Sequence, residues 1–157
     1  MKEIILTNGL IALVDNEDYE RINKYKWTFH NGGYAIRHIE GTKNSTIMMH
    51  REILHTKKNK NLDHINQNKL DNRKENLRVA TNSQNQANRK KWLVMGQPCS
   101  SKYRGVSWHK GAKKWRALTE HKGVHYNLGN YDSEEKAAKV YDLKVQELHG
   151  EFAKLNF

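Results

Sequence analysis

The rhythm of apolar and polar positions changes along the chain and predicts three successive blocks. Glu3–Leu6 and Leu10–Val14 are short, mainly apolar runs around Asn8-Gly9, the dipeptide a tight hairpin favours, so they read as two strands. Asp15 or Asn16 then offers an N-cap for a short helix through Tyr25, with Glu17, Asp18 and Glu20 in the first turn, where the helix dipole favours anions. Trp27–Phe29 and Tyr34–Ile39 form a second hairpin across Asn31-Gly32-Gly33, and Thr46–Met49 leads into a helix at His50–His55. This block reads as a small β-rich support unit, with Trp27, Phe29, Tyr34 and Ile36 expected in its core.

From Thr56 to Lys91 the apolar residues thin out and asparagine dominates. A segment this polar buries little surface against its ordering entropy, so loop or disorder is one reading. The remaining apolar positions favour order: Leu62 and Ile65 bracket Asp63-His64, and Leu70, Leu77 and Val79 follow at strand or turn spacing. Thr81-Asn82-Ser83-Gln84 then supplies a helix start before Asn85. The expected sequence is strand, ordered loop, strand, helix, with Asn and Asp side chains bonding their own backbone in the loop. Residues 92–101 hold the sole proline, Pro98, together with Gly96, Cys99 and two serines, the composition of a linker.

The third block, 102–157, shows three strand-like runs punctuated by Gly111 and Gly123, then a helix capped by Asp132 or Ser133 and ended by Gly150. Ala137, Ala138, Val140, Tyr141, Val145 and Leu148 recur at helical spacing. A three-stranded antiparallel sheet packed on one helix follows, with Trp115 between them and one sheet face left open.

Charge narrows the partner. Among 157 residues, 28 Lys and Arg against 17 Asp and Glu give a net +11, and both halves of the chain are positive. Nucleic acid is the matching polyanion. A membrane partner is not expected, since no long basic amphipathic helix or spanning apolar run is present, and no obligate protein partner is evident. The lone Cys99 rules out a disulfide within the chain, and the start lacks a signal-peptide pattern, so a reducing cytoplasm is the expected compartment.

Candidate chemistry sits in the asparagine-rich block. Asp63-His64-Ile65-Asn66, then Asn76-Leu77-Arg78, then Asn85 place an imidazole beside a carboxylate, with an amide oxygen on a separate element. That is a minimal kit for metal-assisted phosphodiester hydrolysis. Arg51, Arg73 and Arg78 are candidate phosphate contacts. His50, after Ile47-Met48-Met49, is as well explained by packing as by a role on the substrate, and stays outside the catalytic set.

Met49-His50-Arg51, Asp63-His64-Ile65-Asn66, Asn68, Leu70-Asp71-Asn72-Arg73, Glu75-Asn76-Leu77-Arg78 and Ser83-Gln84-Asn85 together resemble the HNH endonucleases, in the form found among phage and intron homing enzymes. The resemblance runs over about 47–90. It implies an α+β fold with a ββα-metal finger, His64 as general base, Asp63 and Asn85 as metal ligands, and Asn76 as the residue that fixes the loop and His64. A carboxylate and an amide oxygen are hard ligands, so one Mg²⁺ or Mn²⁺ per site is the matching ion.

The third block resembles the Apetala/ERF-type DNA-binding domain, from Tyr103-Arg104-Gly105-Val106 through Leu128-Gly129, Ala137-Ala138 and Tyr141-Asp142 to Ala153-Lys154-Leu155-Asn156-Phe157. By that resemblance Arg104, Ser107, His109, Lys113, Arg116, His125 and Asn127 read duplex DNA from the sheet, while Leu118 and Glu120 depart from the family's pattern. The expected organisation is residues 1–91 as support unit plus nuclease module, 92–101 as linker and 102–157 as DNA-binding domain. The expected function is a homing or mobile-element endonuclease acting on double-stranded DNA in a bacterial or phage-infected cell. A catalytically inactive, sequence-specific regulator is the alternative, disfavoured by the intact Asp63, His64 and Asn85.

Overall fold

A computed structural model describes residues 1–42, 45–57, 59–88 and 100–157. The chain is a mixed α/β protein of several small antiparallel sheets that divides into two compact units, Met1–Thr81 and Asn82–Phe157. The division precedes the helix that holds Asn85, whereas the sequence places its boundary within 92–101. Of that expected linker, residues 92–99, including Pro98 and Cys99, lie outside the described residues.

In the first unit β1 (Lys2–Ile5) pairs with β2 (Ile11–Val14) across Asn8-Gly9, with Ile4 opposite Ala12; Gly9 takes the positive φ of 82° that the turn needs. The following helix, α1 (Asn16–Ile22), stops short of the expected Tyr25. The indole of Trp27 explains the stop: its Nε1 donates to the carbonyl of Ile22 at 2.8 Å, replacing the intrahelical donor four residues on. Asp15 occupies the N-cap position without capping, because its carboxylate accepts from the backbone N–H of Lys74 at 2.7 Å.

Three short strands, β3 (Thr28–Phe29), β4 (Ala35–His38) and β5 (Thr46–Met48), form an antiparallel sheet in that order, and α2 (Met49–Ile53) follows. Ile4, Leu6, Ala12, Val14, Ile22, Trp27, Ala35, Met49, Ile53 and Leu77 make one buried core. Trp27 lies at its centre as expected and Phe29 packs against it, whereas Ile36 is half-buried. Tyr34 is a correction: its ring stands beside the imidazoles of His50 and His64. Last in this unit come β6 (Asn61–His64) and β7 (Leu77–Ala80), an antiparallel pair whose connection ends in a 3-10 turn at Lys74–Asn76.

The second unit opens with α3 (Asn82–Ala87). Its sheet has the order β10-β9-β8, formed by β8 (Val106–His109), β9 (Lys114–His121) and β10 (Val124–Tyr131), and α4 (Glu134–His149) covers one face. Ser133 caps α4 by accepting from the N–H of Lys136, and Gly150 ends it, both as the sequence indicates. Val106, Ala117, Ala137, Ala138, Tyr141 and Val145 form the core, with Trp115 packed against it and Trp108 edge-on to Trp115. Gly105 admits no side chain. Its φ is +72°, and a Cβ there would fall 2.0 Å from the Tyr141 ring. The closing Asn156 and Phe157 are stapled to α4, since both backbone N–H groups donate to the Asp142 carboxylate at 2.9–3.1 Å.

Candidate active site

β6 and β7 set the site by their register, which places Asp63 opposite Arg78 and His64 opposite Leu77. Successive residues of a strand turn to opposite faces, so the adjacent carboxylate and imidazole meet different neighbours. Asp63 accepts from Arg78 Nε at 3.0 Å and Nη2 at 2.9 Å, both at Oδ2, in an ion pair that is nearly buried on both sides. Arg78, expected to contact phosphate, here holds the Asp63 carboxylate.

His64 lies at the end of β6 and is buried. Its Nε2 is 3.4 Å from Oδ1 of Asn72, its ring meets the His50 ring edge-on with centroids 5.1 Å apart, and the Tyr34 ring lies at 6.0 Å. Burial holds the His64 imidazole below its ordinary range, against the opposing pull of Asn72, Asp63 and Asp71, so the ring is neutral at physiological pH. His50 is pushed further, to about 3, chiefly by burial and then by its proximity to the titratable His64 and to Arg51. Both rings are therefore uncharged where they touch.

The loop from Ile65 to Asn76 has little apolar material and is built from amide bonds. Asn76 bonds it at two points: Oδ1 accepts from the N–H of Asn66 at 2.9 Å and Nδ2 donates to the carbonyl of Asp71 at 2.7 Å. Asn66 Nδ2 donates to Asp71 Oδ2, and Asn68 Oδ1 accepts from the N–H of Leu70. The side chain set against the His64 ring is Asn72, a residue inside the recognised Leu70-Asp71-Asn72-Arg73 run for which the sequence suggests no role. Tyr34 was likewise beyond sequence reasoning about the site, since it reads locally as a packing residue, while His50 stood evenly between packing and a role on the substrate.

Two further expected phosphate contacts have protein partners. Arg73 grips both oxygens of Asp71 at 2.8 Å and also bonds Glu75, and Asp71 is held below the usual carboxylate range chiefly by Arg73. Arg51 donates to the carbonyl of Lys57 at 3.0 Å. Asn85 lies half-buried on α3, in the second unit.

In the second unit, alternation from the buried Val106 and Ala117 turns Ser107, Arg116, Asn127 and His125 to the sheet face away from the core. The register brings Ser107 opposite Arg116, Asn127 opposite Leu118 and His125 opposite Glu120, so Leu118 and Glu120 stand on this same face. Arg116 Nε is buried without a hydrogen-bond partner among the described residues. Lys113 is exposed in the β8–β9 turn, while His109 folds over it and accepts at Nδ1 from the N–H of Ala112. Arg104 points elsewhere, donating to the carbonyls of Ala87 and Gln86 at the end of α3. A cavity of about 360 Å³ between α3, α4 and the edge of β9 is lined by Arg104, Tyr141 and His149, but by none of Asp63, His64, Asn76 and Asn85.

Among the described residues no helix is long and apolar enough to cross a membrane, and no cluster of three or more His, Cys, Asp or Glu side chains gathers to hold a metal. Residues 56–87, which span β6, the amide-built loop, β7 and α3, match the family model for HNH endonucleases. A protein of Acanthamoeba polyphaga mimivirus named as an uncharacterized HNH endonuclease is 31% identical over 150 residues, covering 94% of this chain and 75% of that one. Protein 3.8 of Escherichia phage T7 is 33% identical over 93 residues, covering 59% of this chain and 73% of that one. No solved structure matches. With the similarity to the mimivirus protein extending through both units and the family match including the strand that carries His64, the chain belongs to the HNH endonuclease family.

Proposed function

We propose that the chain hydrolyses phosphodiester bonds in duplex DNA as a metal-dependent homing or mobile-element endonuclease, with His64 as general base. The observation that carries this reading is the neutral, buried His64 imidazole, oriented by Asn72 and His50 at the end of β6 and next in sequence to the Asp63 carboxylate. A phosphodiester resists attack because its negative charge repels hydroxide and its alkoxide leaves poorly. An uncharged imidazole accepts the proton of a water as that water attacks phosphorus, which removes the need for free hydroxide.

Asp63 and Asn85 are the residues that would hold the ion. Their donor chemistry fits, because a carboxylate and an amide carbonyl are hard oxygen ligands of the kind a divalent ion takes. A divalent ion held by them would supply positive charge for the phosphate oxygens and the leaving alkoxide. Arg78 pairs with the Asp63 carboxylate at 2.9 Å and so holds it in place. Asn76 acts through the loop rather than on the substrate.

The second unit is the docking module in this reading. Its support is the open sheet face bearing Ser107, Arg116, His125 and Asn127, the exposed Lys113, and a three-strand-plus-helix layout like that of the Apetala/ERF-type family. Phosphate contacts there supply grip and base contacts supply the address. Supercoiled plasmid incubated with Mg²⁺ tests the proposal: it is relaxed or linearised, and EDTA abolishes the reaction. His64→Ala lowers the cleavage rate by about 10²–10⁴-fold with DNA binding retained in a gel shift. Cleavage by His64→Ala at the wild-type rate removes His64 from the role of base, and equal cleavage in EDTA removes the metal.

A further inference from the structure

Asn72 is one of the most completely buried side chains of the first unit, at 1% exposure, and its amide has a fixed sense. Nδ2 donates to the carbonyl of Leu70 at 3.1 Å, which turns Oδ1 towards His64 Nε2 at 3.4 Å. An amide oxygen can only accept, so this contact is attractive when the proton of the neutral ring is on Nε2 and repulsive when a lone pair is there. The backbone of Asn72 is anchored in turn. Its N–H donates to the carbonyl of Leu13 at 2.8 Å, and the N–H of Leu13 donates to the carbonyl of Leu70 at 2.8 Å, so β2 clasps the loop on both sides of Asp71. Lys74 extends the clasp through its backbone bond to Asp15 and its ammonium contacts with Glu17 and Asp18.

We infer that Asn72 is a positioning residue that fixes the ring orientation of His64 and its Nε2–H tautomer, and that the β1–β2 hairpin, through Leu13, belongs to the same positioning apparatus. The family resemblance assigns both the loop and the ring to Asn76, whose two side-chain bonds shape the loop that carries Asn72. The functional part of the inference rests on His64 being the base; the tautomer does not.

Long-range ¹H–¹⁵N spectra of the full chain at neutral pH test it, with the His64 ring signals identified by their loss in His64→Gln. The expected result is the Nε2–H pattern in the wild type. In Asn72→Leu that preference is lost, and kcat for plasmid cleavage falls roughly tenfold to a hundredfold while KM stays within about twofold, the signature of misplacement rather than lost binding. Asn72→Asp keeps an oxygen acceptor and keeps the Nε2–H pattern. A wild-type ring in the Nδ1–H form overturns the inference, as does an Asn72→Leu protein that retains both the tautomer and kcat. If Asn72→Leu does not fold, the wild-type spectrum and Asn72→Asp decide. Wild-type cleavage by His64→Ala would instead defeat the nuclease assignment and leave the tautomer result standing.

Discussion

The loop from Ile65 to Asn76 and the sheet and helix of the C-terminal unit reach definite structure by opposite means. The C-terminal unit follows the familiar route: Ala117, Ala137, Ala138 and Tyr141 are packed out of water, and the backbone adapts, with Gly105 left bare so that Tyr141 fits. The loop has few apolar groups to bury. It is held by directional bonds from Asn66, Asn68, Asn72 and Asn76, with Asp71 at the centre and Leu13 clasping from outside. Packing tolerates small adjustments of many contacts, whereas an amide network fixes a few atoms exactly where its geometry allows. The general base proposed at His64 needs the second kind of precision, and the docking role proposed for the C-terminal unit needs the rigidity of the first.

The widest gap between the two regions is expected on Gly105→Val. A branched side chain at φ +72° that also meets the Tyr141 ring destabilises the C-terminal unit by roughly 3–5 kcal/mol. Hydrogen exchange on the full chain shows early opening confined to 102–157, with β6 and β7 still protected. Opening spread equally over both regions would show that the two do not stand independently. Next comes Asn76→Ala, which strips partners from the N–H of Asn66 and the carbonyl of Asp71 and costs about 2–3 kcal/mol. Its exchange signature is faster opening of 66–76, with α4 unchanged.

How much was legible in advance follows the same division. Strands and helix of the third block were readable because Val106, Ala117 and the α4 stripe carry periodic apolar signals, and Ser133 and Gly150 mark the helix ends. The order strand, loop, strand, helix around Asp63-His64 was readable from Leu62, Ile65, Leu77 and Val79, whereas a role for Asn76 came only from the family resemblance. Asn72 was not, since its task depends on a carbonyl of Leu13 nearly sixty residues away and nothing local distinguishes it from its neighbouring asparagines. The early end of α1 hid for a similar reason: the indole of Trp27 competes for the last carbonyl, and propensity says nothing of that. Tyr34 and Arg78 misled in complementary ways, an aromatic placed at the site and a cation turned inward to Asp63.

Acid sharpens the contrast further. The His50 imidazole is held at about 3 in the folded chain against an unfolded value near 6.5, so the unfolded state takes up the proton first. Its contribution to stability is complete above the unfolded value and is lost as pH falls from there towards 3, at up to about 1.4 kcal/mol per pH unit. Denaturant melts of the full chain between those limits show this slope, and His50→Phe flattens it; an unchanged slope would place the acid sensitivity elsewhere. The smallest effect belongs to Ser133→Ala. Loss of one cap bond on α4 costs about 1 kcal/mol, read as a slight fall in the melting temperature without altered exchange in 66–76.

The clasp at Leu13 has a practical corollary for mutational scanning. Because main-chain atoms make both of its bonds, most side-chain replacements at position 13 will score as harmless and the position will look expendable. Proline there, which deletes the donor, or a one-residue deletion within β2, which exchanges the directions of N–H and C=O, would silence catalysis from a strand that carries no reactive group.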